Sequence, residues 1–235
     1  MPLPSHSPPP SAWEIKSFQA GEYFVRIYDH EKATDKATGA RLYRPIDFNS
    51  TLLDDSPDTR GRYSARKTRN KSEYYSYLYV GEQQVDERAA LLECIDVLSL
   101  GRSADNATRM VDLASLASLS FVYARLRRPV TLLDISSEPN ASVFLADFAV
   151  LQGKNYRLTR RWARYFRATA PYLDGLYYSP VRYGSCQFGG NIVLFGPHGD
   201  NPDILSSEYT EFTLDSPAGR GRLLALSRAV KISLS

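Results

Sequence analysis

Cysteine and histidine are scarce in this chain of 235 residues, which carries two of the first and three of the second. Cys94 and Cys186 lie far apart with no CxxC-type spacing, and Cys94 falls within an expected helix, where a free cysteine acts as a small buried hydrophobe. His6, His30 and His198 share no ligand spacing, so no metal site is expected. Only His30 and His198 fall beyond the leader, which leaves a Ser–His–Asp triad few bases. No apolar run is long enough to cross a bilayer, and the N-terminus lacks the basic and apolar regions of a secretory signal. A cytoplasmic, reducing location without membrane contact is therefore the expectation. GxGxxG after a strand, GxxxxGKS/T, GxSxG and HExxH are all missing, so dinucleotide-fold, P-loop, hydrolase-elbow and zincin chemistry lack support. With 29 Lys+Arg against 26 Asp+Glu, the formal charge of +3 is too small for a dedicated nucleic-acid binder.

What is present suits a globular protein. Hydrophobic residues make up 43% of the chain, enough for a substantial core in one large domain. "MPLPSHSPPPSA" is rich in Pro and Ser and reads as a disordered leader over residues 1–12, with one domain expected over 13–235. "EYFVRIYD" (22–29) alternates as a strand, with Tyr23, Val25 and Ile27 on one face and Phe24, Arg26 and Tyr28 on the other. Arg26 among aromatics is either a snorkelling side chain that covers rings or an anion-binding group in a cleft; strand pattern alone favours the first. Residues 30–73 are polar and turn-rich, and the basic second half reads first as a solvated face.

"YYSYLYVG" (74–81) is a second strand, and Asp86 is a plausible N-cap for the helix that follows, with Glu87 favourable in its first turn. Leu91, Ile95 and Leu98 make the apolar stripe of that helix and Gly101 its stop. Glu93 lies off the stripe among Ala89, Ala90 and Val97, and reads equally as a helix edge or a partly desolvated acid. Residues 110–126 read as a helix or a helix–strand boundary, and "SVFLADFAVL" as a short apolar helix. "LTRRWARYFRATAP" reads as a helix after a Thr cap, and "FGGN" as a turn between strands. A last helix is expected after Ser216–Pro217, despite its two glycines. Without regular βαβ alternation the fold class is α+β.

Several segments, taken in order, resemble the RES-domain family, known mainly as the toxin half of bacterial toxin–antitoxin pairs. "FVRIYD" resembles its first block, at Arg26, and "RGRY" its glycine–arginine–aromatic block, at Arg62 with Tyr63 in place of the usual Trp. "YLYVGEQQVDERAALLE" resembles the block in which a strand tyrosine precedes a helix carrying the key glutamate, which assigns Tyr79 and Glu93. "TRRWARYFRATAPYLDGLYYSPVR" followed by "GGNIVLFG" resembles the late block with its serine. The likeness runs from about residue 22 to about residue 200. It departs from the family in two places. The serine usually stands two positions after the late tyrosine; here Pro180 is there, with Ser179 one place earlier and Ser185 further on. The stretch between Arg26 and Arg62 is also longer than usual.

The resemblance implies an ADP-ribosyltransferase-like mixed sheet and an enzyme that degrades NAD+ by phosphorolysis or hydrolysis. NAD+ would be a substrate rather than a cofactor, with inorganic phosphate as a candidate co-substrate. Glu93, Arg26, Tyr79 and Ser179 would be catalytic, and Arg62, Tyr63, Tyr28 and Tyr178 would bind the dinucleotide. The rival readings are an ADP-ribosyltransferase acting on a protein and a degenerate module that only docks a partner. The family's usual partner is an Xre-type helix-turn-helix antitoxin, and a homodimer is left open.

Overall fold

The computed structural model of the protein describes residues 10–31, 33–41, 44–46, 73–80, 87–88, 90–91, 99–102, 109–143, 156–178, 190–197, 203–229 and 232–234. A short 3-10 turn at Pro10–Ala12 leads to the buried Trp13. The strands are β1 (Ile15–Phe18), β2 (Tyr23–Asp29), β3 (Glu73–Val80), β4 (Ser99–Arg102), β5 (Arg109–Val111), β6 (Leu119–Leu126), β7 (Val130–Asp134), β8 (Gly175–Tyr178), β9 (Gly190–Pro197), β10 (Leu205–Thr213) and β11 (Ile232–Leu234). The helices with described ends are α1 (Glu138–Val143), α2 (Tyr156–Thr169) and α3 (Pro217–Ala229). Glu87, Arg88, Ala90 and Leu91 are also helical.

Eight strands form one sheet in the order β1-β7-β8-β9-β3-β2-β6-β10, and β11-β5-β4 form a second. In the large sheet only the β7–β8 pair is parallel, and the chain between those strands carries α1 and α2, the crossover that a parallel pair requires. The class is α+β, as composition and element order led us to expect.

Helices cover one face of this sheet. Trp162, Ala163 and Phe166 of α2 fall on one helical stripe and pack on Leu133, Leu176 and Val193, while Arg161 and Arg164 stay exposed. Leu223 of α3 joins Ala90 and Leu91 over Val25, Phe121 and Tyr123. On the opposite face Phe24, Ala124, Leu132, Tyr177 and Leu194 are covered by Ile46 and Ile204. Ser216 caps α3 by accepting from the Gly219 amide at 3.0 Å, and Pro217 opens it. The glycine has a packing reason, since a Cβ at Gly219 would stand 2.0 Å from the Thr213 carbonyl oxygen.

Three sequence expectations are corrected, and one left open is decided. Residues 110–126 hold a helix–strand boundary: a 3-10 turn at Leu113–Leu116 precedes a strand over 119–126, buried at every position but Arg125. A strand covered on both faces reads as a continuous apolar run, which a helical pattern mimics. Gly101 does not stop a helix: it lies in β4, beside a register irregularity, where glycine commonly marks a bulge. Thr159 is a buried residue inside α2 rather than its cap. Gly190 and Asn191 open β9 instead of forming a turn. A Cβ at Gly190 would meet the Tyr177 ring at 2.1 Å, so this glycine makes room for a cross-strand aromatic.

One carboxylate ties the β6–β7 corner to the entry of β8. Asp174 accepts from the Thr131 amide at 2.8 Å and from Arg128 Nη2 at 2.7 Å. That bond raises the Arg128 pKa further above its ordinary value. The Asp174 side chain is mostly buried, whereas Arg128 is half-exposed, so the amide bond carries most of the value. Replacement by alanine leaves the Thr131 amide without its acceptor. Asp174→Ala is expected to lower stability by about 2 kcal/mol in urea denaturation, and Asp174→Asn by roughly half that.

Candidate functional site

Strand pairing puts a row of residues at one level across the large sheet. Tyr178 lies opposite Asn191, Asn191 opposite Tyr79, Tyr79 opposite Val25, Val25 opposite Tyr123, and Tyr123 opposite Thr210. Directly paired residues share a face, so all six positions belong to the helix-covered side. Tyr178 is the last residue of β8 and Tyr79 the second-last of β3. Both strands run antiparallel to β9 between them, so they end on the same side of the sheet. Ser179 follows Tyr178 directly, and Glu93 follows β3 in the sequence. Among the expected site residues the fold therefore groups the register positions of Tyr79 and Tyr178.

Arg26 is placed elsewhere. It pairs with Val122, one step from the Val25–Tyr79 position, and so belongs to the opposite face. Its Nη1 donates to the Pro45 carbonyl at 3.0 Å, bracing the segment that brings Ile46 over Phe24. Tyr28 is also on that face, 2% exposed and edge-on to the His30 ring with centroids 5.1 Å apart. Tyr178 is likewise packed, 4% exposed, among Trp13, Leu176 and Val193. Neither ring offers much surface to a ligand. Glu93, Arg62, Tyr63, Ser179 and Ser185 lie outside the described residues, as do Cys94, Cys186, His6 and His198.

Two polar constellations were not foreseen. At the β10 edge, His30 Nε2 lies 2.6 Å from Ser120 Oγ and 2.8 Å from Glu211 Oε1. Arg41 joins them, with Nη2 3.4 Å from His30 Nδ1 and Nη1 donating to the Tyr209 hydroxyl at 3.3 Å. This cluster and the Arg26–Pro45 bond strap residues 33–41 and 44–46 across the second face. The turn inside the strap is held by Asp35, which accepts from the Thr38 and Ala37 amides; these bonds keep its pKa below the usual carboxylate range. The sign follows directly: this contribution is full above the unfolded carboxylate's pKa and is lost as pH falls through the lowered value.

The second constellation lies on the helix-covered face. Glu87, seven residues after the end of β3, is 7% exposed, and its Oε1 accepts from both the Tyr123 hydroxyl and Arg222 Nε. The Arg222 guanidinium also stands over the rings of Tyr123 and Phe212, at 5.2 Å and 5.5 Å from their centroids. Among the described residues of this stretch, the buried acid is thus Glu87. Its sequence signal was only that of a first-turn acid; both donors come from β6 and α3, far along the chain.

Among the described residues, no three His, Cys, Asp or Glu side chains gather closely enough to hold a metal ion. Nor is any helix among them long and apolar enough to cross a membrane.

Comparison with known proteins adds one family. The RES domain matches residues 41–215 of the chain. Arg62, Tyr63, Tyr79, Glu93, Tyr178 and Ser179 fall inside the match, while β2 with Arg26 and Tyr28 precedes it and α3 with Arg222 follows it. No curated protein matches the chain. Among solved structures it is similar to a chain of the M. tuberculosis MbcT–MbcA toxin–antitoxin complex, at 11% identity. The alignment covers 89% of this chain and 92% of that one, with a TM-score of 0.46.

Loss of one donor to the buried Glu87 carboxylate has a measurable cost. Tyr123→Phe keeps the ring and removes the hydroxyl, and is expected to lower the free energy of unfolding by about 1–3 kcal/mol. Urea titration of the two proteins at neutral pH checks it.

Proposed function

This chain belongs to the RES domain family, and from that membership we propose that it consumes NAD+ by breaking the nicotinamide–ribose bond, in the role of a growth-arresting toxin. The observation that carries the reading is the convergence of strand ends within the matched region. Tyr79 and Tyr178 occupy one cross-sheet row near strand ends on the same side of the sheet, and Glu93 and Ser179 follow those strands in the sequence.

The chemistry asks for these residue types. Cleavage of the glycosidic bond builds positive charge on the ribose, and a carboxylate fixed beside it favours the transition state over the ground state. We assign that carboxylate to Glu93, acting through a ribose hydroxyl. Tyr79 would stack on the nicotinamide, and Ser179 would orient the substrate by hydrogen bonding. Arg62 would pair with the pyrophosphate, where a planar guanidinium presents two parallel donors. Arg26 is the weaker candidate for that role, because its guanidinium is bonded to Pro45 on the other face. Phosphate, water or a protein side chain would each serve as acceptor, and phosphorolysis or hydrolysis is the reading we place first. On the family's usual pairing we further propose an Xre-type helix-turn-helix antitoxin as partner.

One observation favours a second reading. The displaced serine, with Pro180 in the usual position, fits a module that has kept the fold to dock a partner without turning over a substrate. Expression without an antitoxin separates the two, since an active toxin arrests growth and depletes NAD+.

Incubation of the purified protein with NAD+, with and without phosphate, should release nicotinamide, and the mass of the second product names the acceptor. Glu93→Gln is expected to slow release by roughly 100-fold or more with the fold retained. Release from that variant at the wild-type rate would remove Glu93 from the mechanism. Arg62→Ala should raise the Michaelis constant for NAD+ about tenfold or more, and by more than Arg26→Ala does.

A further inference from the structure

The C-terminal helix α3 begins at Pro217, just beyond the end of the family match at residue 215, yet it reaches into the layer beneath the candidate site. Arg222 donates through Nε to the Glu87 carboxylate, which also accepts from Tyr123. Tyr123 sits in the cross-sheet row two strands from Tyr79. Ala90 and Leu91, in the same helical stretch as Glu87, are buried against Val25, Tyr123 and Leu223. Glu93 follows Leu91 by two positions in the sequence.

An ion pair is a costly way to hold two apolar surfaces together. Desolvation of the carboxylate offsets most of the attraction, and an apolar pair of similar volume often stabilises as much or more. What such a pair supplies is orientation, because both donors converge on one oxygen and a shift of the helical stretch along the sheet breaks both bonds. The flanking residues explain why α3 stays seated: Leu223 is buried beside the pair, and the Arg222 stem and guanidinium lie over two rings.

We propose that Glu87 and Arg222 are positioning residues for the NAD+-consuming site: α3, an element outside the family's matched region, clamps the helical stretch after β3 at the height that the reaction uses. The proposal rests on the function proposed above. The clamp acts on Ala90 and Leu91, which precede Glu93 in the sequence, and it assigns Glu87 and Arg222 a positioning role rather than one in the chemistry.

The full-length protein and its Arg222→Met variant, which keeps the apolar stem and loses the donor, supply the test. Hydrogen exchange at Ala90 and Leu91 should rise by roughly tenfold or more in the variant, while exchange in β6 and β9 stays as in the wild type. The turnover number for nicotinamide release should fall by about tenfold with the Michaelis constant for NAD+ changed less than about twofold, the pattern of lost transition-state alignment. Arg222→Lys, which retains the charge without Nε, serves as second variant should the first fail to fold, and should show the same split. Unchanged exchange at Ala90 and Leu91 overturns the clamp. Raised exchange with an unchanged turnover number overturns its part in positioning. A wild-type protein that releases no nicotinamide removes the NAD+ reading instead, and exchange still decides whether α3 holds this stretch.

Discussion

The large sheet is two blocks joined where β2 runs beside β3, in register at Val25 and Tyr79. Everything placed on either face depends on that junction, because side chains alternate with a period of two and a one-residue slip would exchange the faces of an entire block. The register in force sets Val25, Phe121 and Tyr123 of one block on the same face as Leu176, Val193 and Leu133 of the other, the face that receives α2, α3 and the helical residues around Ala90. The same register sends Phe24, Arg26 and Tyr28 to the other side, where a strap of irregular chain covers them. Helices on one face and loop segments on the other are therefore consequences of a single pairing.

Glu87 shows what that arrangement demands of polar groups. A carboxylate in an apolar layer carries a desolvation cost that only charge-assisted bonds offset. Its two donors come from β6 and α3, so the acid joins the sheet to the C-terminal helix across the helical stretch between them. Asp174 does comparable work at the opposite end of the sheet, with a backbone amide beside its arginine, and both arginines stand half in solvent. The partners set the difference in character: Asp174 fastens a corner through an amide, whereas Glu87 joins a strand hydroxyl to a helix guanidinium.

How far the fold was legible follows from how local its causes are. The strands at 23–29, 73–80 and 190–197 declare themselves through alternation or β-branched runs, and α3 through its Ser216–Pro217 start. The strand at 119–126 was legible only as one of two alternatives, a helix–strand boundary, because burial on both faces erases the period that would decide it. The glycines of α3 counted against it until Gly219 proved to be where the helix seats on Thr213. Near the candidate site, Tyr79 and Glu93 were assigned by family resemblance, pattern alone leaving Glu93 open, while Glu87 passed as a first-turn acid. Its partner Arg222 stands 135 residues away, and no local pattern signals a bond of that span. The same holds for His30, a solitary histidine in the sequence that meets Ser120 and Glu211 only through the pairing of β2, β6 and β10.

Burial also divides the aromatic residues by role. A ring that is only a few per cent exposed cannot stack on a nicotinamide without leaving its packing, and Tyr28 and Tyr178 are in that condition. Tyr28 closes the second face against Ala33 and Val122, and Tyr178 seals the end of β8 over the α2 layer. Both rings serve the packing of the sheet. On the function proposed above, the dinucleotide would be met by residues that follow the strand ends in the sequence. β3 and β8 end on the same side with β9 between them, so the two strand ends lie about two strand spacings, roughly 10 Å, apart, a separation that suits the proposed substrate.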